Sequence, residues 1–465
     1  MANILVAGNG VRDGVFAALR QRTGVVAWGL AGTAMTLALL APALWNGFPL
    51  IFPDTGGYFT APILHLPANG RSAFYGLFLD AGLPLAFWPC VIIQSALVVW
   101  LIVVTLRVNG LGGRPWLTAG VVALLTVTTS LPWFAGQLMP DVLFPAAALA
   151  LYLLAYAAGQ LARWERYTLA AVIVFAIPSH MAAAGVCVAV VAAFWLVAGL
   201  ARYWPRLKPL SPRLTLASAA VAAGIALCPV SNLALTGSFA FTPGGTTFLF
   251  GRLIEDGIIE RYLAERCPDA TIRLCAYQHD MPDQADNWLW GNTILYKLGG
   301  WETYKVEEAR IIRDTLVMYP GMHLASAVTA ALEQFVTFDT EVNVHDNEPT
   351  ISSIEEYAPE LLPALSRARQ QVEHFDVGPL NYLHRPVAGF ALAGIALALM
   401  LRRRLAIAPE AAALCLTILL ALAANAVVCG VFSHPVDRYQ SRLVWLAPFA
   451  MAILVAQRFR PPVKA

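Results

Sequence analysis

FPDTGGYF, residues 52–59, follows an apolar stretch from Gly24 to Trp45 that is long enough to cross a bilayer and longer than a signal-peptide core. The octapeptide places an aspartate, a threonine, two glycines and a tyrosine at the edge of a membrane helix. A carboxylate at that depth loses hydration. It persists only by facing water, pairing with a cation or taking part in chemistry. Arg12, Arg20, Arg22 and the APA tripeptide at 41–43 resemble a cleavable leader, but the apolar length favours a retained helix.

Outward from this stretch, 58% of the 465 residues are hydrophobic and 13% are charged, where soluble domains carry roughly 25% charged residues. That composition predicts an all-α multi-pass membrane protein. Apolar runs of spanning length predict about ten transmembrane helices, near 24–45, 84–106, 116–134, 140–161, 168–180, 182–201, 214–233, 386–401, 407–430 and 443–457. Threading them from a cytoplasmic N-terminus puts Arg107, Arg114, Arg163, Arg166, Arg202, Arg206, Lys208, Arg213, the RRR run at 402–404, Arg458, Arg460 and Lys464 on one side. This is the arrangement the positive-inside rule requires. Of the 29 acidic residues, only Asp13, Glu165 and Glu410 fall on that side.

The polar chemistry therefore lies on the opposite face, which the resemblance described below places in the periplasm of a bacterial inner membrane. It comprises the loop at 46–83, the turns at Asp141 and at Ser179–His180, an insert at about 236–385, and FSHPVDRYQSRL at 432–443. The expected organisation is a transmembrane module over 1–235, an external domain of mixed structure over 236–385 and a second transmembrane module over 386–465. The net charge of +2 is nearly balanced, and no basic run interleaved with aromatics points to nucleic acid. Five cysteines lie in apolar runs. Cys267 and Cys275 lie in polar sequence and suit a disulfide in an oxidising compartment.

Several residues on the external face are of the kinds that acid–base chemistry and phosphate binding need. A carboxylate can take a proton from a hydroxyl, and fixed cations can hold a phosphate. Asp54 is the candidate base, against the plainer reading of a helix cap or a partner for Arg71. Arg438 and Arg442, four residues apart on one helical face, are candidates for phosphate contact together with Arg71; the plainer reading is interfacial anchoring and pairing with Asp437. Asp141 either assists the base, holds a divalent cation (Mg or Mn) with Asp54, or caps the fourth span. Tyr58, Tyr75, His180, His434 and Tyr439 are candidates for substrate contact. The stretches at 279–286 and 338–349 mix His with carboxylates but lack a metal-ligand spacing, and Trp288, Trp290 and Trp301 suit either a core or a sugar platform.

An acidic residue after the first span, a tyrosine four positions later, and RSAFY (71–75) before the second span together resemble the GT-C superfamily of membrane glycosyltransferases. QLMPDVLF (137–144) resembles that family's second acidic loop, and HPVDRYQSRLVWLAPF (434–449) resembles its closing RY and apolar span. The chain departs from the family at Thr55, where many relatives carry a second acid, and at Ser72 and Ala73, where they carry a proline pair. The resemblance implies a polyprenyl-phosphate-linked sugar donor and a lipid, polysaccharide or protein acceptor. Walker, dinucleotide-binding, HExxH and GxSxG motifs are absent, which disfavours a soluble nucleotide-sugar donor. The competing expectations are a transporter or flippase of lipid-linked glycan and a non-catalytic envelope assembly factor.

Overall fold

The computed structural model describes residues 24–66, 69–291, 293–342, 347–373 and 375–459. The basic residues Arg12, Arg20, Arg22, Arg460 and Lys464, together with Asp13, His345 and Asp346, lie outside them. Among the described residues the chain is helical, with one isolated bridge between Leu50 and Gln137 in place of any strand. A chain in hydrocarbon must satisfy every peptide group internally, and a helix does so within one segment.

The main helices are α1 (Gly24–Leu39), α2 (Thr55–Leu64), α3 (Ala73–Gly82), α4 (Trp88–Leu111), α5 (Pro115–Thr128), α6 (Pro140–Tyr156), α7 (Arg163–Ser179), α8 (Met181–Tyr203) and α9 (Thr215–Thr236). They continue with α10 (Gly245–Glu255), α11 (Ile258–Arg266), α12 (Gly300–Met318), α13 (Pro320–Val336), α14 (Glu348–Tyr357), α15 (Gly378–Met400), α16 (Pro409–Phe432) and α17 (Asp437–Arg458). Six of them, α4, α8, α9, α15, α16 and α17, are long and apolar enough to cross a membrane. A seventh exists only if α12 and α13, bent by 101° at their junction, count as one broken span. The chain is thus a multi-pass membrane protein.

The expectation of about ten spans is corrected to six or seven. All the remaining apolar runs fold as helices, but they stop short. The 14 residues of α5 rise about 21 Å, against roughly 30 Å of hydrocarbon. The stops are local. Thr129 leaves α5 in extended backbone while its hydroxyl takes the Leu125 carbonyl at 2.6 Å. His180 is extended between α7 and α8, and Gly47, at φ +81°, closes the short helix Ala41–Asn46 that follows α1.

The insert is helical rather than mixed, and it contributes to two cores. Phe250, Ile258, Trp288, Trp301, Tyr304 and Tyr319 belong to a separate apolar cluster, whereas Ile354, Leu361 and Leu365 join the transmembrane core. Cys267 and Cys275 form a disulfide in the first of these units. Helix α13 lies against α16, where a Cβ on Gly430 would meet the Ala330 carbonyl oxygen at 2.6 Å. Gln334 on α13 brackets Val436, accepting from its N–H at 3.0 Å and donating to its carbonyl at 2.9 Å, and so fixes the start of α17.

Helices α2 and α3 form a close pair between α1 and α4. A Cβ on Gly76 would fall 2.2 Å from the Tyr58 carbonyl oxygen and 2.7 Å from Pro62, so the pair packs only around a glycine. Gly76→Ala is expected to destabilise the fold by about 1–3 kcal/mol. Gly120→Ala, in α5 with open space around it, leaves stability unchanged or raises it. Thermal unfolding in detergent of both variants checks the contrast, and equal melting temperatures would contradict the packing described.

Candidate functional site

Asp54 occupies the residue before α2, yet its side chain makes no capping hydrogen bond. The surrounding loop is held by two threonines instead. The Thr55 hydroxyl accepts from Phe52 N at 3.0 Å and donates to the Leu138 carbonyl at 3.1 Å. The Thr350 hydroxyl, on α14, accepts from Gly56 N at 2.8 Å and contacts the Phe52 carbonyl at 2.6 Å. Thr55 is buried. It serves as a tie, so an acid at this position would have lost the hydroxyl that donates to Leu138. Ser72 caps α3, accepting from Phe74 N at 3.1 Å, and donates to the Pro178 carbonyl at the end of α7.

With its cap role vacant, the Asp54 carboxylate turns toward cations. Arg71 donates from Nη2 to Asp54 Oδ1, and Arg438 Nη1 lies 3.7 Å from Asp54 Oδ2. Arg438 also grips Asp141 with two bonds, Nε to Oδ1 and Nη2 to Oδ2, both 3.1 Å. Arg442 Nη1 reaches the same Asp141 Oδ1 at 3.1 Å, and its Nη2 donates to Asn425 Oδ1 at 3.0 Å and to Cys429 Sγ at 3.3 Å. The result is a continuous chain of alternating charge, Arg71, Asp54, Arg438, Asp141, Arg442, drawn from four separated segments of the sequence. Each guanidinium also covers an aromatic ring: Arg71 lies 4.5 Å from the Trp290 centroid, Arg438 4.0 Å from Phe52 and Arg442 3.4 Å from Phe144.

Exposure is highest at the Asp54–Arg71 end and falls to nothing at Asp141 and Arg442. Side-chain exposure is 24% for Asp54, 17% for Arg71, 10% for Arg438 and 0% for both Asp141 and Arg442. Asp54 is therefore the carboxylate that meets solvent. Burial alone would raise its pKa, but the Arg71 and Arg438 guanidiniums outweigh burial and hold it below the usual carboxylate value.

The candidate residues separate into those placed at the accessible end and those placed behind it. Arg442 has no exposed surface, and its two Nη atoms are engaged by Asp141, Asn425 and Cys429, so it supports Asp141 from the interior. Asp141 is not a helix cap; it is pinned between two arginines. Asp437 does not pair with the arginines, since its Oδ1 accepts from Asp339 N at 2.6 Å. Tyr58 and Tyr75 are buried and pack edge to face at 5.3 Å, with the Tyr75 hydroxyl donating to Gln94 at 2.7 Å, so both support the α2–α3 pair rather than reach a substrate. His180 caps α8, its Nδ1 accepting from Ala182 N at 3.2 Å, with its ring edge on Phe144. His434 lies 3.8 Å from Asp286, and the Tyr439 hydroxyl meets Ser433 at 3.3 Å.

Trp288 and Trp301 are core residues. Trp290 is 37% exposed, but Arg71 and Trp301 already pack against it, so it holds Arg71 rather than offering a bare sugar platform. Asn425, Phe144 and Thr350 are site neighbours that sequence reasoning passed over. Asn425 alone carried a signal, as an amide in the middle of an apolar span. The donor set does not fit a divalent cation: Arg438 stands between Asp54 and Asp141 and uses both oxygens of Asp141. Among the described residues no group of three or more His, Cys, Asp or Glu side chains is arranged to hold one.

No protein-family model matches the chain, and neither a characterised protein nor a solved structure is similar to it. The site is therefore defined by its own geometry.

Removing the buried anion leaves Arg442 without its counter-charge and Arg438 with only the more distant Asp54. Asp141→Asn is expected to destabilise the protein by about 3–5 kcal/mol. Asp54→Asn, at the part-exposed end, is expected to cost distinctly less. Chemical or thermal unfolding of the two variants in the same detergent checks the order, and a reversed order would contradict the burial gradient.

Proposed function

We propose that this protein is a membrane glycosyltransferase that moves a sugar from a polyprenyl-phosphate carrier to an acceptor on the acidic face of the membrane, the periplasmic face of a bacterial inner membrane. The observation that carries the reading is the position of Asp54: a part-exposed carboxylate between two cations, the part-exposed Arg71 and the buried Arg438. This is the set of groups a single displacement at an anomeric carbon needs. The resemblance of residues 52–59, 71–75, 137–144 and 434–449 to GT-C enzymes points the same way.

In the proposed step the acceptor oxygen attacks the anomeric carbon as the bond from that carbon to the phosphate oxygen breaks. The acceptor's proton passes to Asp54, and the bonding electron pair leaves with the polyprenyl phosphate. A carboxylate held ionised is in the form a base requires, and it takes the proton late, once the attacking oxygen has gained positive charge. Arg71 and the Nη1 end of Arg438 stabilise the phosphate as its charge grows. Asp141, Arg442 and Asn425 hold Arg438 in place from behind, and Trp290 does the same for Arg71. One displacement inverts the anomeric configuration.

Incubation of purified protein with defined polyprenyl-phosphate sugars, with release of polyprenyl phosphate as the readout, tests the proposal. Asp54→Asn is expected to lower turnover by about a hundredfold or more while the fold and donor binding are retained. A variant that turns over at the wild-type rate, or a wild-type protein that releases nothing from any donor, would favour a flippase or a scaffold.

The pH dependence follows from the sign of the Asp54 shift. Its pKa is lowered, so the carboxylate stays ionised above the ordinary Asp value of about 3.9 and is lost only as pH falls through the lower, folded-state value. Turnover is expected to show no acid limb between about pH 5 and 7. A limb in that window in the pH–rate profile would remove Asp54 from the role of base.

A further inference from the structure

We infer that the basic end of α8 and α9 carries a binding site for the phosphate headgroup of an anionic phospholipid. This site is separate from the charge chain around Asp54 and does not depend on glycosyl transfer. Helix α8 ends at Tyr203, the chain turns through a short helix at Pro205–Leu210, and α9 begins at Thr215. The turn borders an open cleft of about 410 Å³ whose lining includes Arg202, Lys208, Ser211, Thr215 and Trp195, and no acidic side chain.

Charge, depth and shape agree. Residues 200–216 carry Arg202, Arg206, Lys208 and Arg213 with no acid, and Arg402 donates to the Arg206 carbonyl. The cleft lies at the ends of two membrane-spanning helices, beside Tyr203 and Trp204, both exposed as interfacial aromatics are. Trp195 lies seven residues before Arg202 on α8, about 10 Å deeper, and its Nε1 donates to Ser218 on α9 at 3.2 Å. That bond bridges the two helices and fixes the indole as one wall. Ala198, Leu214 and Pro212 add apolar lining.

A site with two cations and two hydroxyl-bearing residues at the headgroup level, and an indole with apolar surface toward the hydrocarbon, matches an amphiphile with a phosphate at its polar end. A free phosphate would use the cations but leave the apolar wall uncovered. A zwitterionic lipid would bring an ammonium into a cleft lined by like charge.

Titration of the full-length detergent-purified protein with short-chain phosphatidylglycerol, short-chain phosphatidylcholine and inorganic phosphate tests the inference. The wild-type protein is expected to bind phosphatidylglycerol in preference to the other two. Arg202→Ala combined with Lys208→Ala is expected to weaken that binding about thirtyfold, from roughly fivefold per cation at an anionic membrane surface. Arg403→Ala combined with Arg404→Ala removes the same charge outside the cleft and is expected to retain it. If the double cleft variant does not fold, Arg202→Gln and Lys208→Gln singly give the same readout at about fivefold each. Unchanged affinity in the cleft variants, equal binding of phosphatidylcholine, or tighter binding of inorganic phosphate than of phosphatidylglycerol would overturn it.

Discussion

Arg438 is shared. Its guanidinium closes a two-bond fork on Asp141 and extends its remaining nitrogen toward Asp54, which joins the start, middle and end of the polypeptide at one point. A cation removed from water needs this much compensation, because the loss of hydration exceeds what a single distant counter-charge returns. The rest of the architecture keeps those three segments in register. Thr55 and Thr350 tie the Asp54 loop, Gly76 lets α3 close on α2, and Gln334 holds Val436 two residues before Arg438.

The charge chain has a wet end and a dry end, and that polarity gives it a direction of use. Asp141 and Arg442 have no access to solvent and pair with one another, so they act as a base on which Arg438 stands. Asp54 and Arg71 retain partial exposure and retain capacity for a ligand, since a carboxylate offers about four acceptor positions and a guanidinium five donors. Trp290 reaches from the insert to cover Arg71, so the insert forms part of the site wall.

The hydropathy pattern legibly marked α4, α8, α9, α15, α16 and α17, because hydrocarbon demands long apolar runs. The shortened helices were not legible. Where α5, α7 and the helix after α1 stop depends on the backbone at Thr129, His180 and Gly47, and their apolar residues continue beyond those stops or sit in protein core instead of lipid. The insert read as mixed because its tryptophans and turn residues suit strands as well as short helices; packing around Trp288 and Tyr304 selected helices.

What the sequence by itself determined is the membrane character and the short set of charged residues, Asp54, Arg71, Asp141, Arg438 and Arg442, at the ends of apolar runs. Ionised groups are costly at such depth, so each one stands out without any knowledge of its neighbours. Only the tertiary structure decided how they pair and which of them meets water. Arg438 and Asp141 are 297 residues apart, and no local pattern encodes that contact. Exposure likewise depends on what every other helix covers, and for that reason Arg442 and Arg438, indistinguishable as a spaced pair in sequence, end with no exposure and with 10% side-chain exposure respectively.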